Sequence, residues 1–313
     1  MTTRSVEIVE VGPRDGFQSV EPIIPTPVKI AIVDQLYAAG VRRMEATSFV
    51  SASAVPQLAD AGEIVTAVRA LAGLDAQILV PTERYAERAL LAGADHLAFV
   101  LSVSERHNLS NVRRSPAESA QEYRRIVRSM PNGTRMRLNI ATAFDCPYEG
   151  RIDEAVTLRL LEELIATAPN AEVALCDTTG RVTPGHVEGL FSKVRGLFPE
   201  TVTWAFHAHD TFGLGAANTL AAWQAGVCVF DASVAGLGGC PFAPGATGNV
   251  ATEDLLWMFQ GMDVATGIDF GALVAVARRV ADLPGAQVGG RVRDAMSARA
   301  DAEQARAAGC FAA

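Results

Sequence analysis

The feature that most constrains the fold is a regular alternation of strand-like and helix-like segments along most of the chain. About eight such units recur at a spacing of roughly 30 residues, which is the count and the unit length of a (β/α)8 barrel, or TIM barrel. The predicted strands are Val6–Val11, Val41–Val50, Gln77–Val80, His96–Ser102, Arg135–Phe144, Glu172–Asp177, Val202–His209 and Val229–Val234.

Helical patterns follow the strands, and local signals mark several of their ends. Gly40 ends the first helix, Pro116 occupies the favoured first turn of another, and Asp153 stands at the N-terminus of a third. The predicted helices are Pro27–Ala39, a segment ending near Leu71, Glu83–Leu91, Pro116–Met130, Asp153–Thr167, Pro184–Phe198, Phe212–Ala225 and Ala251–Phe259.

An open, doubly wound sheet is the competing architecture for such an alternation. No Gly-x-Gly-x-x-Gly pattern follows the first strand, which disfavours that alternative. No linker interrupts the alternation, so we expect one catalytic domain over residues 1–313. We predict a TIM barrel over about 6–265, followed by extra C-terminal helices in a tail over about 266–313.

Composition limits the environment and the partners of this chain. Hydrophobic residues make up 49% of it and charged residues 20%, so a large core can be buried. With 27 basic and 35 acidic side chains the net charge is −8, which argues against a nucleic-acid partner. No apolar run approaches the length that spans a membrane, and the N-terminus lacks the apolar core of a signal peptide. We therefore expect a soluble cytoplasmic protein that binds neither nucleic acid nor membrane.

The five cysteines are scattered, and none of them forms a Cys-x-x-Cys pair. An odd and unclustered set fits a reducing cytoplasm and gives no zinc ribbon or disulfide framework. We assign Cys146, Cys176 and Cys228 to packing and leave Cys310 unassigned.

Polar residues collect at the C-terminal ends of five predicted strands. The active site of a barrel lies at that end, so these residues would converge on one mouth. They are Arg14 and Asp15 after the first strand, Glu45, Thr47 and Ser48 in the second, Cys176 to Thr179 after the sixth, His207 to Asp210 after the seventh, and Cys240 and Asn249 after the eighth.

His207 and His209 give the sharpest local signal. Residues i and i+2 of a strand point to the same face, so both imidazoles would aim at one point in the mouth. Such a pair is either a metal site or two core histidines satisfied by hydrogen bonds. Adding Asp15 and Asn249 favours a divalent metal, and oxygen ligands beside imidazoles favour Mg²⁺ or Mn²⁺ over zinc.

Arg14 places a permanent positive charge beside the proposed ligand Asp15. Arginine is suited to hold a carboxylate or an oxyanion through two parallel donors. Glu45 could pair with Arg14 and fix its orientation. The same two residues could also form a buried structural ion pair, and the two interpretations are compatible.

A loop over residues 233–249 holds five glycines, two prolines and one thiol, Cys240. Such a density of glycine is typical of backbone that passes close to a ligand or adopts positive φ. An accessible thiol above a metal suits proton transfer, and a nucleophilic or a packing role is the alternative.

Five segments together resemble the 3-hydroxy-3-methylglutaryl-CoA lyase family, in order and over about residues 6 to 260. The last of them is close to a family signature. They are Gly-Pro-Arg-Asp-Gly at 12–16, Glu-Ala-Thr-Ser-Phe-Val at 45–50, Cys-Pro-Tyr-Glu-Gly at 146–150, His-Ala-His-Asp-Thr at 207–211, and the loop 233–249.

The resemblance implies a lyase that cleaves 3-hydroxy-3-methylglutaryl-CoA to acetyl-CoA and acetoacetate in leucine catabolism, as a homodimer or a higher homo-oligomer. It implies a divalent metal held by Asp15, His207, His209 and Asn249, and Cys240 as the catalytic thiol. We place Arg14, Glu45, Cys240 and Asp177 in catalysis, with Asp177 or a histidine as the initial base. We place Arg14, Gln18, Ser48 and Thr178 at the CoA thioester substrate.

Several positions depart from the family pattern. Ser19 and Val20 replace an Asn-Glu pair, Ala174 replaces a serine, and Asn139 stands where an aromatic residue is expected. These departures keep open a lyase for a related 3-hydroxyacyl-CoA, such as citramalyl-CoA or a longer branched hydroxyglutaryl-CoA. A Claisen-type synthase is less favoured, because the chain leaves no room for a large regulatory domain after the barrel. A non-catalytic metal-binding barrel is disfavoured by the Arg14, Asp15 and Cys240 set.

Overall fold

The computed structural model describes residues 5–239 and 248–307. Eight parallel strands close into a barrel, in which each strand pairs with its neighbours in the chain and the first strand pairs with the eighth. The predicted TIM barrel is therefore confirmed. The strands are Glu7–Glu10, Arg43–Ser48, Asp75–Leu79, His96–Ser102, Arg135–Ala141, Glu172–Asp177, Thr203–Ala208 and Val229–Ala232.

Alternate residues of each strand face the helices or the barrel interior. On the fourth strand Leu97, Phe99 and Leu101 are buried in the large core shared with the helices. The interior holds a small apolar cluster and, around it, buried charged side chains. Interiors of such barrels are ordinarily filled by branched apolar residues, so this polar filling is unusual. The apolar cluster comprises Val9, Val11, Ala174, Ala205 and Val229.

Helices surround the barrel at the predicted positions, with two differences. Helix α2 begins at Ala61 because Pro56 holds the preceding residues in a short 3-10 turn, Pro56–Leu58. An unpredicted helix, α4, follows the fourth strand and is capped by the Ser104 hydroxyl, which accepts from the His107 amide. The helices are α1 Thr26–Ala38, α2 Ala61–Arg69, α3 Glu83–Leu91, α4 Glu105–Val112, α5 Pro116–Ser129, α6 Glu154–Thr167, α7 Pro184–Leu197, α8 Gly215–Gln224, α9 Thr252–Gly261, α10 Phe270–Ala281 and α11 Val292–Ala307.

The extra C-terminal helices are α10 and α11, and the segment between them crosses the mouth of the barrel. Its Gly289 amide donates to Ala235 O at 2.9 Å, and its Gln287 carbonyl accepts from Gly238 N at 3.3 Å. Gly236 adopts φ 57°, and a Cβ there would lie 2.9 Å from Gly289, so glycine is required. The tail therefore supports the start of the glycine-rich loop.

Among the described helices, none combines the length and the apolar character that a membrane span requires.

Candidate functional site

A single π-helical turn, Gly12–Gly16, begins directly after the first strand and carries Arg14 and Asp15. The amides of Arg14, Asp15 and Gly16 all point back to Val11 O. Such π turns are rare and occur often at functional sites. The turn brings two adjacent charged side chains into the mouth together.

Arg14 bridges two carboxylates at the mouth. Its Nε contacts Glu45 Oε1 on the second strand, and its guanidinium donates to Asp15 Oδ1 at 2.6 Å. Burial disfavours the charged form of Arg14, but the charges of Glu45 and Asp15 raise its pKa. Arg14 is therefore a fixed cation, with 12% of its side chain exposed to the mouth.

His207 and His209 face the same mouth from the seventh strand. Their ring centroids lie 5.1 Å apart. One potential ligand atom from each ring and one from Asp15 all lie within 4.8 Å of one another. Asp15, His207 and His209 therefore form a possible site for a divalent metal.

Asn249 joins this cluster from the other side of the glycine-rich loop. Its Nδ2 donates to Asp15 Oδ2 at 2.8 Å, and its backbone pairs with that of His209. Asn249 Oδ1 and His209 Nδ1 are buried and have no hydrogen-bond partner among the described residues. Buried polar atoms are ordinarily paired, so two such atoms beside an anionic carboxylate fit a bound cation.

The charges of the cluster give its groups the forms that bind a cation. Burial opposes ionisation of Asp15, but Arg14 and the two imidazoles hold the pKa of its carboxyl well below the usual range. Burial and the neighbouring His207 lower the pKa of His209 to about 4, so this ring is neutral at neutral pH. Asp15 therefore offers an anionic oxygen and His209 a neutral nitrogen.

Two further side chains behind the cluster are absent from the sequence prediction. Oδ2 of Asp231, on the eighth strand, lies 3.0 Å from Nδ1 of His207. Arg137, on the fifth strand, donates to both carboxylate oxygens of Asp231 at 2.7 Å. Burial disfavours protonation of His207, but the hydrogen bond and charge of Asp231 raise its pKa. A charged residue inside an apolar strand was the available signal, since such a charge requires a partner.

Asp177 is not brought into the cluster. Its carboxylate accepts from Gly180 N at 2.9 Å and from Val182 N at 3.4 Å, and it is fully buried. Burial raises its pKa to about 6. Cys176, the preceding residue, faces the interior instead and pairs in register with His207. In this geometry Asp177 organises the loop after the sixth strand.

Besides Arg14, the three other predicted substrate residues differ in their surroundings. Thr178 lies beside the cluster, because its backbone bonds the His209 ring and its hydroxyl accepts from Thr142 N at 2.8 Å. The Ser48 hydroxyl is buried and donates to Leu79 O at 2.9 Å. Gln18 is exposed just after the turn that carries Asp15.

Cys240 and Cys310 lie outside the described residues. Two described residues of the glycine-rich loop, Gly238 and Asn249, are in close contact: a Cβ on Gly238 would lie 2.8 Å from Asn249 Nδ2. Gly238 also has φ 141°, so both space and conformation require glycine there. The two segments of the loop therefore meet beside the cluster of Asp15, His207 and His209.

The chain is similar to known proteins over most of its length. A family model described as HMGL-like matches residues 5–280. A mitochondrial hydroxymethylglutaryl-CoA lyase of Bos taurus is 42% identical over 272 residues, which are 87% of this chain and 83% of that protein. The structure of HMG-CoA lyase from Bacillus subtilis is similar with a TM-score of 0.89 at 35% identity, covering 94% of this chain and 98% of that one. An HMG-CoA lyase from Acinetobacter baumannii, solved in complex with coenzyme A and 3-methylmalate, is similar with a TM-score of 0.88 at 38% identity, covering 94% and 96%.

Proposed function

The chain belongs to the hydroxymethylglutaryl-CoA lyase family, and we propose that it cleaves 3-hydroxy-3-methylglutaryl-CoA to acetyl-CoA and acetoacetate. It is a carbon–carbon lyase that acts on a CoA thioester. The observation that carries the proposal is the cluster of Asp15, His207 and His209 with Arg14 beside it at the mouth of the barrel. The related acyl groups and the synthase direction are not favoured by these relatives.

The residues proposed to hold the divalent metal are Asp15, His207, His209 and Asn249. Their mixture of carboxylate, imidazole and amide ligands favours Mg²⁺ or Mn²⁺. When bound, such an ion lowers the pKa of the 3-hydroxyl of the substrate and orients the bond to be broken. Oδ1 of Asn249 and Nδ1 of His209, which lack hydrogen-bond partners in the part of the chain that the structure describes, support this ligand set.

Arg14 is proposed to stabilise the enolate that develops on the departing acetyl-CoA unit. A histidine at the mouth is proposed as the base that takes the hydroxyl proton. The C2–C3 bond then breaks, C3 becomes the ketone of acetoacetate, and negative charge appears on the thioester oxygen. A fixed cation is most useful when that charge develops. Glu45 supports Arg14 from behind through its contact with Nε, which keeps the terminal nitrogens directed to the mouth.

Cys240 is proposed to deliver the proton that completes acetyl-CoA, most directly to C2 of the enolate. Closure of the glycine-rich loop would exclude water from that step. The amide contacts of Asp177 support a role in shaping the loop after the sixth strand, so we do not retain it as the initial base. Its raised pKa is explained by burial.

Further proposals concern the substrate contacts and the cellular setting. After Arg14, Thr178 is the best supported of the predicted substrate residues because it adjoins His209. Gln18 would act as an exposed contact, whereas the Ser48 hydroxyl already donates to a backbone carbonyl. A homodimer or a higher homo-oligomer, a cytoplasmic location and a place in leucine catabolism also remain proposals.

The test is a turnover assay with purified enzyme, 3-hydroxy-3-methylglutaryl-CoA and either Mg²⁺ or Mn²⁺, in which acetyl-CoA and acetoacetate are both measured. We expect equal amounts of the two products and loss of turnover when a chelator is added. Citramalyl-CoA serves as the comparison substrate. Absence of both products from folded, metal-supplied enzyme, or faster cleavage of citramalyl-CoA, would reject the proposed substrate.

A further inference from the structure

Arg137 on the fifth strand is the largest fully buried side chain among the described residues. Its guanidinium reaches three acceptors, with Nε on Asn139 Oδ1 at 2.8 Å and one terminal nitrogen on Glu172 Oε1 at 2.6 Å. The other terminal nitrogen lies 2.7 Å from both oxygens of Asp231. All the nitrogens of a rigid group are thus fixed inside the barrel.

A charged side chain in this position is costly compared with an apolar one. Apolar residues of similar volume often replace a buried ion pair with no loss of stability, so packing alone does not call for arginine here. The strand neighbours leave space for it, since Ala174 and Ala205 stand side by side in register next to Asn139. The arrangement therefore indicates a role for the positive charge of Arg137 and for the several donors of its planar guanidinium group.

The register of the strands links this arginine to the cluster at the mouth. Asp231 pairs in register with His207 on the adjacent strand, which brings Asp231 Oδ2 to 3.0 Å from His207 Nδ1. A hydrogen bond at Nδ1 leaves the Nε2 of the same ring for other ligands. A carboxylate on the second nitrogen of a metal-binding histidine fixes the tautomer and the orientation of the ring.

We propose that Arg137 is a positioning residue for the metal ligand His207 and that it acts through Asp231. Arg137 holds the carboxylate of Asp231 by both oxygens, and Asp231 in turn holds the ring of His207 toward Asp15 and His209. Glu172 and Asn139 fix Arg137 from the opposite side. The inference rests on the metal site of the proposed function, but it concerns cation binding and does not depend on which substrate is cleaved.

The test measures binding of Mn²⁺ alone to the full-length protein, by electron paramagnetic resonance of free and bound Mn²⁺. Loss of an outer partner of a metal-binding histidine ordinarily weakens metal affinity by about 10- to 100-fold. We expect Arg137→Gln and Asp231→Asn each to raise the Mn²⁺ Kd by that factor. We expect Arg137→Lys to give an intermediate Kd, because an ammonium group keeps the charge but lacks the planar set of donors of a guanidinium group.

Arg43→Gln is the matched control. Arg43 is buried and also bonds Glu172, at 2.8 Å, and its further carboxylate partners are Glu7 and Asp75. Its loss removes one partner of Glu172 but leaves all the contacts of Arg137 and Asp231 in place, so the Kd should stay at the wild-type value. Circular dichroism checks that each variant is folded, and the nearly isosteric Asp231→Asn keeps the test valid if Arg137→Gln does not fold.

Wild-type affinity in folded Arg137→Gln and Asp231→Asn would overturn the inference, as would an equal loss in Arg43→Gln. Failure of the wild-type protein to bind Mn²⁺ would overturn it together with the metal site. If the wild type binds Mn²⁺ and the variants follow the expected order, but no 3-hydroxy-3-methylglutaryl-CoA is cleaved, the proposed function fails and the positioning role of Arg137 stands.

Discussion

The two ends of the barrel interior are both rich in charged side chains, but these side chains are paired differently at each end. At the N-terminal end the charges bind one another: Arg43 contacts Glu7 at 2.7 Å and Glu172 at 2.8 Å, and Asp75 is contacted by both Arg135 and His96 at 2.8 Å. At the mouth Asp15, His207 and His209 converge, and the histidines bring nitrogen atoms toward an anion that Arg14 already contacts.

The difference lies in the polar atoms that are left over. At the mouth the buried atoms His209 Nδ1 and Asn249 Oδ1 have no hydrogen-bond partner among the described residues. Among the described residues, the charged groups at the N-terminal end form ion pairs with one another. Charge alone therefore does not mark a functional site in this protein. The mouth is marked by convergent groups that lack internal partners, because an unsatisfied buried group destabilises the fold unless a ligand completes it.

The strongest test of this difference is a substitution at the mouth that should abolish metal binding and leave stability almost unchanged. Asp15→Asn keeps the size of the side chain but removes the anionic oxygen, so we expect metal binding to be lost and turnover to fall by about 10³-fold, since a metal contributes several kcal/mol to such a transition state. The free energy of unfolding should change by only about 1 kcal/mol, because Arg14 keeps its ion pair with Glu45 and a neutral amide of the same size remains as a hydrogen-bond acceptor. Metal content, turnover and urea unfolding are measured on the same preparation. Unchanged metal content would contradict the ligand set.

The opposite change is Arg43→Gln at the N-terminal end. It leaves Glu172 and Asp75 with fewer partners in a buried network, and breaking one partner of such a network costs about 3 kcal/mol of stability. The Kd for Mn²⁺ and the turnover of the folded protein should remain at wild-type values. Urea unfolding measures the stability, and turnover is assayed well below the unfolding midpoint. A large loss of turnover with little loss of stability would erase the distinction between the two ends.

A smaller effect is expected from a carboxyl behind the mouth that has no ion-pair partner among the described residues. Burial raises the pKa of Glu253 to about 7, and that of the neighbouring Glu10 to about 7 as well. The folded protein then retains protons that the unfolded chain releases between about pH 4.5 and 7. Stability should therefore be greatest at the acidic side of this window and decline as the pH rises through it.

Glu253→Gln removes one of these titrating groups while it keeps the shape of the protonated carboxyl. We expect the decline in unfolding free energy between pH 5 and pH 7 to become shallower by about 1 to 3 kcal/mol. Denaturant unfolding at a series of pH values measures this decline. The control is Glu188→Gln at an exposed position of α7, which should leave the slope unchanged. An identical slope in wild type and Glu253→Gln would reject the buried, protonated state of this residue.

Much of the fold followed from local patterns. The alternation of strands and helices predicts a barrel because each unit buries one more face against its neighbours, and this prediction is confirmed. The cluster of Asp15, His207, His209 and Asn249 could also be anticipated. Three of these residues lie at the C-terminal ends of strands and the fourth follows a loop from the last strand, and a closed barrel brings all such ends together.

Other features required the direction in which a side chain faces. Asp177 and Cys176 are adjacent, so one must face the interior and the other the helices, but both faces of a parallel strand are buried and equally apolar in sequence. The prediction put Asp177 in the catalytic set, whereas its carboxylate binds the amides of Gly180 and Val182. Helix α4 was missed because its short polar sequence carries no strong periodic signal; the Ser104 cap and its packing hold it.

The sequence by itself determined the order of the elements, the barrel, and the chemical types of residue that gather at its mouth, because these depend on periodicity and on position along a strand. Only the tertiary structure decided which charges satisfy one another. Arg137 and Asp231 lie 94 positions apart in the chain. Asp231 reaches His207 only through the register of neighbouring strands. Closure of the barrel fixes that register, and with it the division between a paired end and an end open to a ligand.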